Sequence, residues 1–450
     1  MSRPHVVGIA IGDIEMRDEY ARSRIVRVSC RPLRSICGAG ILCLLIAPTV
    51  AHGDDAAQPE PSGDGTPGLR PNRDEFLPVP NVGGNSDTGV QLGVAGSYVR
   101  FREGYYPYRF RLDGVISASF KVDSRGLRVV QQYHTVRIDL PQFPMRRVRL
   151  DVRADFLRLV DATWFGIGNA TTVDPRPVPP DAASANAYIA EHVRMSAGVR
   201  IKTDTPFELA FMTHTRYEFP DPYVASKLAD DLRSGTVIGG ESALLETLSA
   251  GIVVDTRDSE FMPRHGIFYQ AGMAGTIGAA ESVRFGEGSA TLTHFASLSR
   301  AFILGNRIIG SMKFGNVPYY ELQQGGVFDP LYLVGGNGGV RGVRLGRYAG
   351  LVKAITNTDL RILPLPRLHV LSWSVLAGAT VFFDAGRVWS DYSFHSPEDG
   401  SGLGLKYGTG AGVFFQWDEA NLFRIDAAYS PDESGRGFPV SFYFQSGFQF

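Results

Sequence analysis

The sequence predicts an all-β fold, a 16-stranded antiparallel transmembrane β-barrel. Three observations carry this. Long segments alternate apolar and charged residues at period two, the mark of strands with one apolar and one polar face. After residue 51 no apolar run reaches the roughly 18 residues that a membrane helix needs. The segments number sixteen, an even count, and their connections are short on one side and mostly long on the other.

The sequence predicts a leader. Residues 35–51, SICGAGILCLLIAPTVA, are apolar, follow Arg24, Arg27, Arg31 and Arg34, and precede the small Gly53. A basic region, an apolar region and a small-residue exit predict a signal peptide over residues 1–53. The alternative is an N-terminal membrane anchor, for which the run is short. All three cysteines, Cys30, Cys37 and Cys43, fall in this leader. Ile41 and Leu42 ahead of Cys43 argue against lipid attachment there, because that site wants a small residue in front. Residues 54–74, DDAAQPEPSGDGTPGLRPNRD, have almost nothing to bury and predict a disordered periplasmic tether.

From residue 75 to 450 the texture is uniform and predicts one barrel. In RRVRLDVRADF, Val148, Leu150, Val152, Ala154 and Phe156 oppose Arg147, Arg149, Asp151, Arg153 and Asp155. In YIAEHVRMSAGVRIK, Val193, Met195, Ala197, Val199 and Ile201 face away from His192, Arg194, Ser196, Arg200 and Lys202. In NLFRIDAAY, Phe423, Ile425, Ala427 and Tyr429 oppose Arg424 and Asp426. A soluble sandwich is the competing architecture, but its strands run about five or six residues. Segments of ten or more residues, charged along one whole face, suit apolar side chains toward lipid and polar ones toward a lumen.

The expected strands are 76–86, 88–101, 108–122, 127–140, 146–160, 187–203, 207–219, 246–257, 266–277, 288–303, 306–317, 351–363, 369–389, 405–416, 421–430 and 438–450. With the C-terminus periplasmic, the connections at 102–107, 141–145, 204–206, 258–265, 304–305, 364–368 and 417–420 share one side. Those at 161–186, 220–245, 278–287, 318–350, 390–404 and 431–437 share the other.

Composition narrows the function. A formal net charge of −1 argues against a nucleic-acid binder, which needs surplus cations to displace counterions. The nine histidines are scattered, with no HExxH and no paired metal spacing, and there is no GxSxG elbow, so neither a cofactor nor enzymatic activity is expected. The stretch GGNGGVRGVRLGRYAG at 335–350 carries seven glycines and three arginines. It lacks the Lys–Ser/Thr pair of a phosphate loop, and Arg341 stands where a dinucleotide loop needs its third glycine. Its arginine is therefore expected to act elsewhere.

Five features then resemble one family. Val340, Arg341 and Gly342, a VRG inside a long glycine-rich connection, resemble the sixth-loop motif of the Omp85 superfamily of outer-membrane barrels. FFDAGRVW at 382–389 resembles its F/G-x-D-x-G motif through Phe382, Asp384 and Gly386, and NTDLR at 357–361 resembles the acidic segment one strand earlier. VVDTRDSEFMPRHG at 253–266 resembles a turn these barrels carry midway, through Asp255, Arg257, Asp258, Pro263 and Gly266. Asp255, Arg257 and Asp258 read as turn and strand-end charges, not as catalytic groups. The final stretch, PVSFYFQSGFQF, places Phe442, Phe444, Phe448 and Phe450 on one face, and a terminal Phe450 resembles the insertion signal of such barrels.

The resemblance implies that the long loop folds into the lumen and sets Arg341 against Asp384, with Asp359 as a possible second partner. It implies an outer-membrane location, contact with outer-membrane lipid, and insertion by a barrel-assembly machinery. The function implied is to aid insertion, assembly or translocation of proteins or lipid. The soluble periplasmic modules common in this family have no counterpart in the sequence, so a barrel-only branch and a separate periplasmic protein partner are expected. The alternative function is a passive pore.

Overall fold

The computed structural model describes residues 72–450, apart from 86–88, 124–125, 179–181, 280–282, 371–372, 434–438 and 447–449. The expected signal peptide and almost all of the expected tether lie outside the described residues. Sixteen long strands occur among those described: β1 (Arg73–Asn85), β2 (Gly89–Phe101), β3 (Phe110–Asp123), β4 (Gly126–Leu140), β5 (Val148–Thr163), β6 (Ala187–Lys202), β7 (Phe207–Glu218), β8 (Ala243–Asp255), β9 (Gly266–Gly278), β10 (Arg284–Ser297), β11 (Phe302–Asn316), β12 (Val352–Ile362), β13 (Trp373–Trp389), β14 (Lys406–Trp417), β15 (Asn421–Tyr429) and β16 (Val440–Ser446). Each pairs antiparallel with the next, in one sheet. β1 and β16 lie side by side. Among the described residues no helix is long and apolar enough to cross a membrane.

The barrel is polar inside and apolar outside. Along β12, Lys353, Ile355, Asn357, Asp359 and Arg361 are buried, whereas their neighbours face outward. On the outer face Leu292, Ile308 and Met312 are exposed. Val193 and Met195 are exposed and His192 and Ser196 buried, so the alternation of β6 also runs apolar outward. Period-two patterning makes such a wall, because each strand sends successive side chains to opposite faces.

Several boundaries differ from the sequence reading. β10 begins at Arg284, where a connection to residue 287 was expected. Gly286 is tolerated because the Phe314 ring of β11 covers it; a Cβ there would lie 2.4 Å from that ring. The turn between β10 and β11 falls at 298–301, not 304–305. Serine chemistry decides it: the Ser299 hydroxyl accepts the Ala301 N–H at 3.1 Å, and Leu298 N–H donates to the Phe302 carbonyl at 2.9 Å. At the other end, β1 begins at Arg73, two residues inside the expected tether.

Among the described residues two short α-helices decorate the long-loop side. α1 (Lys227–Arg233) is capped by Ser226, whose hydroxyl accepts the Ala229 N–H. α2 (Tyr319–Leu322) opens the longest connection. Trp164, Leu228, Tyr319, Tyr320 and Leu322 pack into one apolar cluster there.

Candidate functional site: a buried arginine in the lumen

The connection 317–351 folds into the lumen. Leu333, Val334, Val340, Val343 and Tyr348 pack against the wall residues Ile309, Ile355 and Val388. Burying these apolar side chains supplies the drive, and specific anchors fix the pose.

The central anchor is Arg341, fully buried. Its Nε and Nη2 donate to the two oxygens of Asp384 at 2.7 and 2.9 Å, a bidentate fork. Its backbone N–H also donates to Asp384, at 3.1 Å. Nη2 reaches Asp359 at 2.7 Å, and Nη1 lies 3.4 Å from Asp426. Arg424 closes the array, donating to Asp359 at 2.9 Å and to Asp426 at 2.7 Å. The Phe382 ring lies under the guanidinium, 3.5 Å from Cζ to the ring centre. Burial alone would lower the pKa of Arg341; the bonds from Asp384 and the charge of Asp359 outweigh it and raise the value. The arginine is therefore held as a cation.

The strand register places these partners. Asp384 and Phe382 are two residues apart on β13, hence on one face, and Asn357 and Asp359 of β12 sit opposite them. Asn357 donates to the Gly339 carbonyl at 2.8 Å, and Arg307 to the Gly338 carbonyl at 2.6 Å, so the loop backbone is gripped just before the arginine. Gly342 has φ of 91°, and its N–H donates to the Tyr443 hydroxyl at 3.0 Å. Val340 is fully buried, and Gly386 sits beneath it: a Cβ at Gly386 would lie 3.0 Å from the valine methyl.

Sequence reading missed Arg424 and Asp426 as partners, although it placed both on the polar face of their strand. It also missed three glycines of β14. A Cβ at Gly408 would meet the Arg341 carbonyl oxygen at 1.8 Å, one at Gly410 the Phe382 ring at 2.6 Å, and one at Gly412 the Asp426 carboxylate at 2.0 Å. The signal was present as GTGAG at 408–412, glycines at period two within a strand.

Two further anchors hold the loop. Glu321 accepts from Lys313 at 2.7 Å and pairs with Arg216. Phe328 rests on Gly251 and Gly272, which face each other across β8 and β9; a Cβ on either would lie within 2.9 Å of its ring.

The remaining predicted residues are elsewhere. Asp255 and Arg257 form a bidentate pair at 2.9 and 2.8 Å, and Asp258 accepts the N–H groups of Arg264 and His265 at 2.9 and 3.2 Å. All three build the turn between β8 and β9. Contrary to the expected shared face with Phe442, which is exposed, Phe450 lies beyond the end of β16, inside the lumen near Arg307 and Phe295, where its backbone oxygen accepts from Arg361 at 2.9 Å. Among the described residues no group of three or more potential metal ligands is present.

A sixteen-stranded barrel with charged groups inside, apolar residues outside and a glycine-rich loop pinned in its lumen defines a class of outer-membrane-type β-barrel. The model of the Omp85 superfamily domain matches residues 141–450, and the chain belongs to that superfamily. Among solved structures it is similar to BamA from Haemophilus ducreyi lacking POTRA domains 1–3, with 13% identity over 83% of this chain and 69% of that one, TM-score 0.49. It is also similar to CdiB from Escherichia coli (14% identity, 84% of this chain, 63% of that chain, TM-score 0.48) and CdiB from Acinetobacter baumannii (12%, 84%, 60%, 0.46). The chain thus spans less than two thirds of either CdiB protein. No curated protein matches it. Omp85 barrel homologues are outer-membrane proteins.

Proposed function

We propose that this protein is an outer-membrane barrel that aids insertion, assembly or translocation of proteins or lipid, and that Arg341 latches its loop in the lumen. The observation that carries this is the fully buried Arg341, bonded to Asp384 and Asp359. A passive pore has no need for a loop that occupies its lumen with an apolar core and charged anchors. Strand β16, only 7 residues long, pairs over its length with β15 and lies beside β1. Separation of β1 from β16 is the step that would expose an edge for incoming chain, while the latch keeps the lumen filled. Outer-membrane lipid and a separate periplasmic protein are the partners of this reading, and Phe450 belongs to the signal for the barrel's own insertion.

The test is Arg341→Ala. It leaves Asp384 buried without its cation, a loss of about 3–5 kcal/mol for a dry pair. The heat-unfolding midpoint of the folded barrel on gels should fall by several degrees. Insertion of an unfolded outer-membrane barrel protein into vesicles holding the variant should slow relative to wild type. An unchanged midpoint would refute the latch. A steady, wide conductance of the wild-type protein with no client insertion would establish the passive pore instead.

A further inference from the structure

The turn between β8 and β9, residues 256–265, reaches across the mouth of the barrel opposite the long loops, the side expected to be periplasmic. Its base is built by the bonds of Asp258 to the Arg264 and His265 N–H groups. The Ser259 hydroxyl accepts the N–H groups of Phe261 and Met262 at 3.2 and 3.3 Å, so residues 260–262 form a tight projection. Its side chains meet opposite walls. Glu260 accepts two bonds from Arg149 of β5, at 2.6 and 2.9 Å. Phe261 packs on Phe101 at the end of β2 and on Tyr108 ahead of β3, with ring centres 6.3 and 5.8 Å away, under the Arg111 guanidinium. Met262 joins an apolar cluster with Ile303, Leu376, Phe414 and Leu422, which come from β11, β13, β14 and β15. A turn rooted between β8 and β9 can touch β2–β5 and β11–β15 together only by lying across the bore.

We infer that this turn is a second barrier, a floor that blocks the lumen on the periplasmic side in series with the loop from the other side. β12 joins the two: its inner row binds the loop through Asn357 and Asp359, and Arg361 donates to the Pro263 carbonyl of the turn at 3.4 Å. Two barriers in series leave the bore closed until both are removed. The inference concerns permeation alone and does not depend on what the barrel inserts or moves.

The experiment is single-channel conductance in planar bilayers of the full chain, with folding of each variant checked by heat-modifiability. The variants are Arg341→Ala, Phe261→Ala with Met262→Ala, and the three substitutions combined. Each of the first two is expected to stay within about twofold of wild type, and the combination to rise at least tenfold. If Arg341→Ala alone conducts as well as the combination, the turn is no barrier. A combined variant that is folded and silent equally overturns the inference. Should Arg341→Ala fail to fold, Asp426→Asn, which weakens the 3.4 Å contact to Arg341 and the 2.7 Å pair with Arg424 but leaves the fork to Asp384 in place, takes its place in the same comparison. A failed latch shows in the heat-unfolding midpoint of Arg341→Ala, whereas a failed floor shows in conductance.

Discussion

At the residue scale, the site is decided by where volume is absent as much as by charge. Gly408 faces Asp384 directly across the β13–β14 ladder and admits the Arg341 carbonyl. Gly408→Ala is therefore expected to lift the loop and cost about 1–3 kcal/mol, the range for overpacking. Gly310→Ala on β11, where a Cβ meets nothing within 4 Å, should be nearly silent. Heat-unfolding midpoints of the two variants decide between them. Glu260 gives a pH signature. Its burial pushes the carboxyl up, but Arg149 outweighs this and holds it at about 2, below its ordinary 4.5. With a depressed folded value, its stabilising contribution is complete above pH 4.5 and fades as pH falls through about 2. Acid unfolding of Glu260→Gln and wild type should converge in that window and differ above it. Arg341, Asp384 and Asp359 were legible in sequence because each sits in a short motif. Arg424 and Asp426 were visible only as polar positions, since their role depends on register with strands more than sixty residues away in sequence.

At the scale of the element, the strands were legible and their ends were not. Alternation over ten or more residues survives any local irregularity, so all sixteen strands fall where the pattern put them. Boundaries depend on single contacts such as Phe314 over Gly286 or the Ser299 turn, which no periodicity records. The long loop shows the same limit. Its VRG motif was readable, yet Phe328 on the Gly251–Gly272 pair was not, because the platform is formed by pairing of β8 with β9. Phe328→Ala should free the first half of the loop while Arg341 stays bonded. Limited proteolysis is expected to cut within 317–332 several times faster than in wild type. Equal protection would show that the phenylalanine is incidental.

At the scale of the whole molecule, the inverted polarity makes a test that separates a membrane barrel from a soluble one. Ile308 lies near the middle of β11 and is 55% exposed on the outer face. In water its replacement by lysine would be harmless. In lipid near the bilayer midplane Ile308→Lys should cost about 2–4 kcal/mol, measured by urea unfolding in vesicles. A neutral result would remove the case for lipid around this wall.

Glu75, near the start of β1, accepts the backbone N–H groups of Glu419 and Ala420 at 3.3 and 3.0 Å. The residues joined are 344 and 345 apart in sequence, whereas successive hairpins join neighbours. Chain entropy opposes distant encounters far more than local ones. The hairpins can therefore zip in sequence order, but the join between the beginning and end of the chain has to wait for all of them. Rim contacts such as these are thus a marker of completed assembly, absent from every earlier intermediate however much strand it already contains.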